Sequence, residues 1–118
     1  MNECFTSKEI LRKKKDFLHL YKKGKRYRGK YFILIYLSNE LTFSRVAVVA
    51  SKKLGNAVQR NKTKRWLRAL FRRNKKLLSR PFDMIFIPRR EIHETTWQNL
   101  SSEYQAALQF IQRQNQIS

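Results

Sequence analysis

The chain reads as an α+β domain, a sandwich in which helices cover a small sheet, and three observations carry that reading. Short apolar runs at 31–37, 45–51 and 82–87 are rich in aromatic and β-branched residues and too short for surface helices, so they read as strands. After Gly55 and Asn56, apolar residues recur at helical spacing to about Leu78. They do so again through Trp97, Leu100, Tyr104, Leu108 and Ile111. At 118 residues this is one domain, 1–118, with room for a single core.

The elements follow in order. Residues 15–23 form a short helix, with Phe17, Leu20 and Tyr21 at helical spacing and Gly24 as its stop. Thr6 and Glu9 have the spacing of a capping box that would start a helix earlier. The run 31–37 follows as a buried strand, with Tyr31, Ile33 and Ile35 on one face and Phe32, Leu34 and Tyr36 on the other. Which of those faces is open is not legible from the pattern. A polar turn at 38–44 leads to a second strand at 45–51, expected to run antiparallel to the first. The long helix then places Trp66, Leu67, Leu70, Phe71, Leu77 and Leu78 on one arc, and Arg60, Asn61, Lys64, Arg65, Arg68, Arg72 and Lys75 on the opposite one. Ser79, Arg80 and Pro81 end it. The strand at 82–87 is closed by Pro88, and the amphipathic terminal helix completes the chain.

Charge narrows the function. Lys and Arg number 27 against 8 Asp and Glu, a formal net charge of +19. Residues 41–82 hold 13 basic groups and no acid; residues 8–30 hold 11 basic and 2 acidic ones; residues 81–118 are near neutral. Such density points to a polyanion, nucleic acid before an anionic membrane surface. If the two basic stretches adjoin in space, they form one large binding surface. Aromatic residues at 13% argue for a packed fold over a basic tail. No apolar run approaches the ~18–20 residues that span a bilayer, and the amino terminus lacks the order of a secretion signal. Cys4 is the only cysteine, which excludes an internal disulfide and fits a reducing, cytoplasmic setting.

The basic arc of the long helix is the sharpest signal. A solvated helix face usually mixes signs, whereas Arg60, Lys64, Arg68 and Arg72 form an i,i+4 ladder of like charge with no carboxylate to relieve it. Its arginines can bind phosphate with two parallel hydrogen bonds and stack on bases. Asn61 both donates and accepts, as a base edge or a 2′-hydroxyl requires. Gly55 and Asn56 admit two readings: close backbone approach to a phosphate, or a plain strand-to-helix turn. The aromatics Phe17, Tyr21, Tyr31, Phe32 and Tyr36 are either core or a base-stacking platform. Catalysis by the chain is not expected. The acids Glu3, Glu9, Asp16, Glu40, Asp83, Glu91, Glu94 and Glu103 are scattered, and His19 and His93 are isolated, so neither a metal-bound nuclease centre nor a triad is legible. A helix-turn-helix lacks its short first helix.

Ser51, Lys52, Lys53, Gly55, Asn56, Ala57, Val58, Arg60, Asn61, Lys64, Arg65 and Arg68 together resemble the signature of the protein subunit of bacterial ribonuclease P. The likeness extends to Asp16, Phe17, Gly24 to Arg26, Ser44 to Val46, Phe71, Arg72 and Asp83 to Arg89, about two-thirds of the chain in all. Ala69 departs from the Glu common at that place in the family, and Ala47 from a common Gly; neither removes an expected RNA contact.

The resemblance implies a four-stranded mixed sheet with a left-handed βαβ crossover, an exception to the usual hand. The fourth strand would come from 25–30 or from a division of the others. It implies that Lys52, Lys53, Arg60, Asn61, Lys64, Arg65, Arg68 and Arg72 contact a large catalytic RNA. Phe17, Tyr21, Ile33 and Ile35 would line a cleft for the single-stranded 5′ leader of precursor tRNA. Mg2+ would act chiefly through the RNA subunit, which cleaves the leader, and the protein would be a monomer, one per catalytic RNA. No small-molecule substrate, membrane or protein-bound metal is expected. The rival readings are a general structured-RNA-binding module, such as a ribosomal protein, and a stand-alone nuclease, against which the scattered acids speak.

Overall fold

The computed structural model describes residues 7–117, with side chains described for 8–114. One sheet holds β1 (Lys25–Arg28), β2 (Phe32–Ser38), β3 (Arg45–Val48) and β4 (Phe82–Pro88) in the order β1-β2-β4-β3. Three helices accompany it: α1 (Lys14–Lys23), α2 (Ala57–Arg73) and α3 (Trp97–Ile117). β1 pairs antiparallel with β2, β2 antiparallel with β4, and β3 parallel with β4, so the sheet is mixed and α2 is the connection between two parallel neighbours. The fourth strand comes from the first of the two expected sources, the segment after Gly24.

The first two strands expected from the sequence, 31–37 and 45–51, correspond to β2 and β3, which are not direct neighbours. Ile35 of β2 pairs with Ile85 of β4, and Ile85 pairs in turn with Ala47 of β3. β2 and β3 do run in opposite directions, but β4 lies between them. Its burial explains the insertion: Phe82, Met84 and Phe86 are buried on one face and Ile85 on the other. Only a strand with neighbours on both edges and helices on both faces can bury such a run. β3 also ends sooner than expected, at Val48, although Val49 still donates its N–H to the Phe86 carbonyl at 2.9 Å.

The two faces carry two cores. Phe32, Leu34, Tyr36, Val46, Met84 and Phe86 pack under α2 and α3 with Leu67, Leu70, Phe71, Tyr104 and Leu108. Tyr104 stacks on Phe86 with ring centres 5.3 Å apart, and its burial raises the phenol pKa. The opposite face buries Ile35, Ala47 and Ile85 against Leu20 of α1 and Leu11. α1 covers that face only in part, since Ile33, Leu37, Val49 and Ile87 stay half-buried. The face left partly open is therefore the one bearing Ile33.

α2 stops a turn earlier than its apolar spacing suggests. Asn74 donates both its backbone N–H and its Nδ2 to the Leu70 carbonyl, at 3.0 and 2.8 Å, and residues Lys75–Leu77 continue as a 3-10 turn. Lys75 leaves the basic arc there and pairs with Glu9, its Nζ 2.8 Å from Oε2. Glu9 lies in the short turn Ser7–Glu9; Thr6, its expected capping partner, is outside the described residues.

Gly24 ends α1 by close approach rather than by a left-handed turn, its φ being −71°. A Cβ there would fall 2.5 Å from the Leu20 carbonyl oxygen and 2.8 Å from Cγ2 of Ile35. Gly24→Ala is therefore expected to lower stability by about 1–3 kcal/mol, as overpacking does. A urea unfolding midpoint equal to that of the parent chain would show that α1 is free to shift away from β2.

Candidate nucleic-acid interface

α2 begins with a capping box. Asn56 Oδ1 accepts from the Gln59 N–H at 2.9 Å, while Gln59 Oε1 accepts from the Asn56 N–H at 3.0 Å. A Cβ on Gly55 would collide with the Gln59 carboxamide and approach His93 Nε2 at 3.1 Å. Of the two readings left open for Gly55 and Asn56, the strand-to-helix turn accounts for both residues.

From that cap the basic arc runs down α2. Asn61 and Arg65 are exposed, and Arg60, Lys64, Arg68 and Arg72 are half-buried at the shoulders of the helix. Long cationic side chains there lay their stems along apolar neighbours and keep their heads in water. Arg60 also donates from NH1 to the Gly55 carbonyl at 3.1 Å. Lys52 and Lys53, exposed on the 3-10 turn Lys52–Leu54, extend the same cationic surface ahead of the helix. Among the described residues, ion pairs join Arg45 to Asp16 and Asp83, and Lys75 to Glu9; none involves the eight groups of this surface. The seven cations among them have no described carboxylate to neutralise them, and an arginine can hold phosphate with two donors.

The two basic helices stand on opposite faces: α2 packs on the Leu34 face of the sheet and α1 on the Ile35 face, so the sheet lies between them. Beside α1 lies a second feature, an apolar trough. Phe17 is half-buried, Tyr21 is 38% exposed, and their ring centres are 6.5 Å apart. Ile33 is half-buried on the sheet below. Ile35, expected as a fourth contact, is only 1% exposed; it packs in the second core and supports the trough without lining it. Leu37, Val49 and Ile87 belong to the same half-open face and were not singled out in the sequence. Ile87 pairs directly with Ile33 across the β2–β4 ladder. Alternation marks each as a face residue, but only the pairing register says that the three strands share that face.

A guanidinium fork sets α1 over the trough. Arg45 donates from Nε and NH2 to the two carboxylate oxygens of Asp83, at 2.9 and 2.7 Å, and from NH1 to Asp16 of α1 at 3.4 Å. Asn39 adds a 2.8 Å hydrogen bond to Asp83. The hydrogen bond to Asp83 is the main reason the Arg45 pKa is raised. Among the described residues no group of three or more His, Cys, Asp or Glu is placed to hold a metal.

With a cationic helix on one side of the sheet and a half-open apolar face on the other, residues 5–112 match the family model described as Ribonuclease P. The chain belongs to that family. Its relatives include the ribonuclease P protein component of Thermotoga maritima, 44% identical over 94 residues and 80% of each chain. That of Alkaliphilus metalliredigens is 32% identical over 112 residues, 95% of this chain and 98% of the relative. The solved ribonuclease P protein of Thermotoga maritima superposes with a TM-score of 0.77 at 36% identity, covering 85% of this chain and 94% of that one. The Staphylococcus aureus protein gives 0.79 at 32%, covering 87% and 94%. The α+β sandwich is thus the fold of solved ribonuclease P proteins, and the chain is a protein component of this tRNA-processing enzyme.

The cap makes a separate prediction. Asn56→Ala removes the acceptor for the Gln59 N–H and is expected to cost about 1 kcal/mol. The check is a denaturant titration, in which an unshifted midpoint would mean that Gln59 and water replace the cap.

Proposed function

We propose that this ribonuclease P protein binds the catalytic RNA through α2 and its preceding turn, and the 5′ leader of precursor tRNA in the trough beside α1. The observation that carries this reading is the placement of the two surfaces on opposite faces of one sheet. A single rigid domain of this kind can hold two RNA segments at once and fix one relative to the other, which lowers the entropic cost of bringing substrate to catalyst.

Lys52, Lys53, Arg60, Asn61, Lys64, Arg65, Arg68 and Arg72 then serve the catalytic RNA, the cations by neutralising phosphates and Asn61 by hydrogen bonding. Phe17, Tyr21 and Ile33 serve the leader, which being single-stranded can offer its bases for stacking and apolar contact. Exposed Lys14, Lys15, Lys22 and Lys23 along α1 give that strand's phosphates their counter-charges. Ile35 holds the trough from beneath. The cleavage belongs to the RNA subunit, whose Mg2+ when bound activates water and stabilises the leaving oxygen. The protein acts as one copy per catalytic RNA in the cytoplasm; no described helix is long and apolar enough to cross a membrane.

Cleavage of precursor tRNA by a bacterial ribonuclease P RNA at limiting Mg2+, with and without the protein, tests the reading. Stimulation is expected, with no cleavage by the protein alone. Tight binding of structured RNA without stimulation would favour a general RNA-binding module instead. Arg65→Ala and Arg68→Ala are each expected to weaken RNA binding and to reduce the salt slope by about 0.7–0.9 per lost phosphate contact. If both slopes stay at the parent value, α2 is not in the interface. Phe17→Ala is expected to weaken binding of leader-bearing precursor more than of mature tRNA, by roughly 1–3 kcal/mol if one stacked base is lost. An equal loss for both RNAs would assign Phe17 to the core.

A further inference from the structure

Val58 is 77% exposed, the most exposed of the large hydrophobic side chains among the described residues. It begins a second stripe on α2, continued by Lys62 and Trp66 at i+4 and i+8, beside the basic arc and distinct from it. The 3-10 turn Arg90–Glu94 and the start of α3 pack against this stripe. Trp66 meets Trp97 edge-on, with ring centres 5.6 Å apart and planes at 84°. Lys62 Nζ lies 4.6 Å from the centre of the Trp66 ring, and the Arg73 guanidinium carbon 5.3 Å from that of Trp97. Between stripe and turn lies a cavity of about 280 Å³, with Val58, Trp66 and Ile92 as apolar walls and Gln59, Thr63 and His93 as its polar margin. The His93 ring is fixed by its Nε2, 2.6 Å from the Leu54 carbonyl oxygen. A carbonyl only accepts, so Nε2 carries the proton, and Nδ1 is the acceptor of the neutral ring.

We propose that this cavity takes one unpaired nucleobase of the catalytic RNA, stacked on Trp66 where the Lys62 ammonium now lies. The inference rests on the reading that α2 faces that RNA. An exposed, flexible lysine is the cover over the Trp66 ring, so a base can replace it while the ammonium moves to a neighbouring phosphate. No acid lines the cavity, Lys62 is part of its lining, and Arg73 lies over the neighbouring Trp97 ring, so a strand entering it finds counter-charge there. A hydrophobic protein segment would fill the apolar walls but leave both cations unanswered, whereas an RNA strand uses walls, margin and cations together.

Trp66 and Trp97 are the chain's only tryptophans, which makes the site directly observable. The full-length Trp97→Phe protein, with Trp66 as sole reporter, is titrated with ribonuclease P RNA and separately with precursor tRNA. The expected result is quenching of Trp66 emission that saturates at one equivalent of the catalytic RNA, with none from precursor tRNA alone. In parallel, Trp66→Leu is expected to lower affinity for the catalytic RNA about fivefold or more, while Trp66→Phe retains it. Trp66→Phe leaves the salt slope unchanged, because it keeps the stacked base and with it the strand's phosphate contacts. Tight binding with unchanged emission, or equal affinity of the Leu and Phe variants, would overturn the site while leaving the ribonuclease P reading intact. Equal quenching by precursor tRNA would overturn its assignment to the catalytic RNA. Absence of binding to ribonuclease P RNA would sink the functional reading and this site with it.

Discussion

The burial of β4 on both faces is the constraint from which the rest of the molecule follows. A run such as Phe82 to Pro88 cannot stand at a sheet edge or face water on one side without exposing Ile85 or Phe86. Placing it between β2 and β3 satisfies both its edges with backbone hydrogen bonds and calls for helices above and below. α2 must then cross from β3 to β4 over one face, which α3 shares, and α1 is left to the other. The separation of the two candidate RNA surfaces is a direct result. Had β2 and β3 paired directly, β4 would have been an edge strand and the division into two half-cores would have failed.

The Asp83 fork belongs to the same constraint. Asp83 sits at the start of β4, one residue from Phe82 and Met84 in the main core, and its carboxylate is largely buried. Arg45 on the neighbouring strand meets it with two parallel hydrogen bonds, while a third reaches Asp16 on α1. A partly buried ion pair of this kind contributes little net stability once desolvation is counted. What it supplies is geometry, because a planar guanidinium with three committed donors admits few orientations. The half-open face depends on that geometry, since α1 has to stand close enough to bury Leu20 and far enough aside to leave Ile33 and Ile87 half-exposed.

The large positive charge is tolerated by where it is placed. The cations cluster on α2 and its preceding turn on one side of the sheet, and on α1 and β1 elsewhere. The like-charge ladder on α2 works against helix formation by a few tenths of a kcal/mol per pair. Burial of Leu67, Leu70 and Phe71, each worth ~1.5–3 kcal/mol, outweighs it. The helix therefore forms on its own core and presents its cations in fixed positions, which would reduce the ordering cost of binding a polyanion.

Periodicity and charge alone determined that this chain is an α+β domain, that residues after Asn56 form a cationic helix, and that its charge suits a polyanion; the signature from Ser51 to Arg68 determined the family. These features are local: a helix face is set by spacing within one segment, and a run of like charge is visible without knowledge of distant contacts. The tertiary structure decided whatever depends on segments far apart in sequence. It put β4 between β2 and β3, because strand order is a competition among faces for burial. It drew Lys75 off the basic arc to Glu9, and it buried Ile35 while leaving Ile33 half-open, since two residues of identical alternation differ only in what α1 covers. It brought Trp97 edge-on against Trp66, two residues that in the sequence belong to separate helices with no visible relation. Side-chain type and spacing fix what each segment can do; which segments meet is set by the shared need to bury both faces of one sheet.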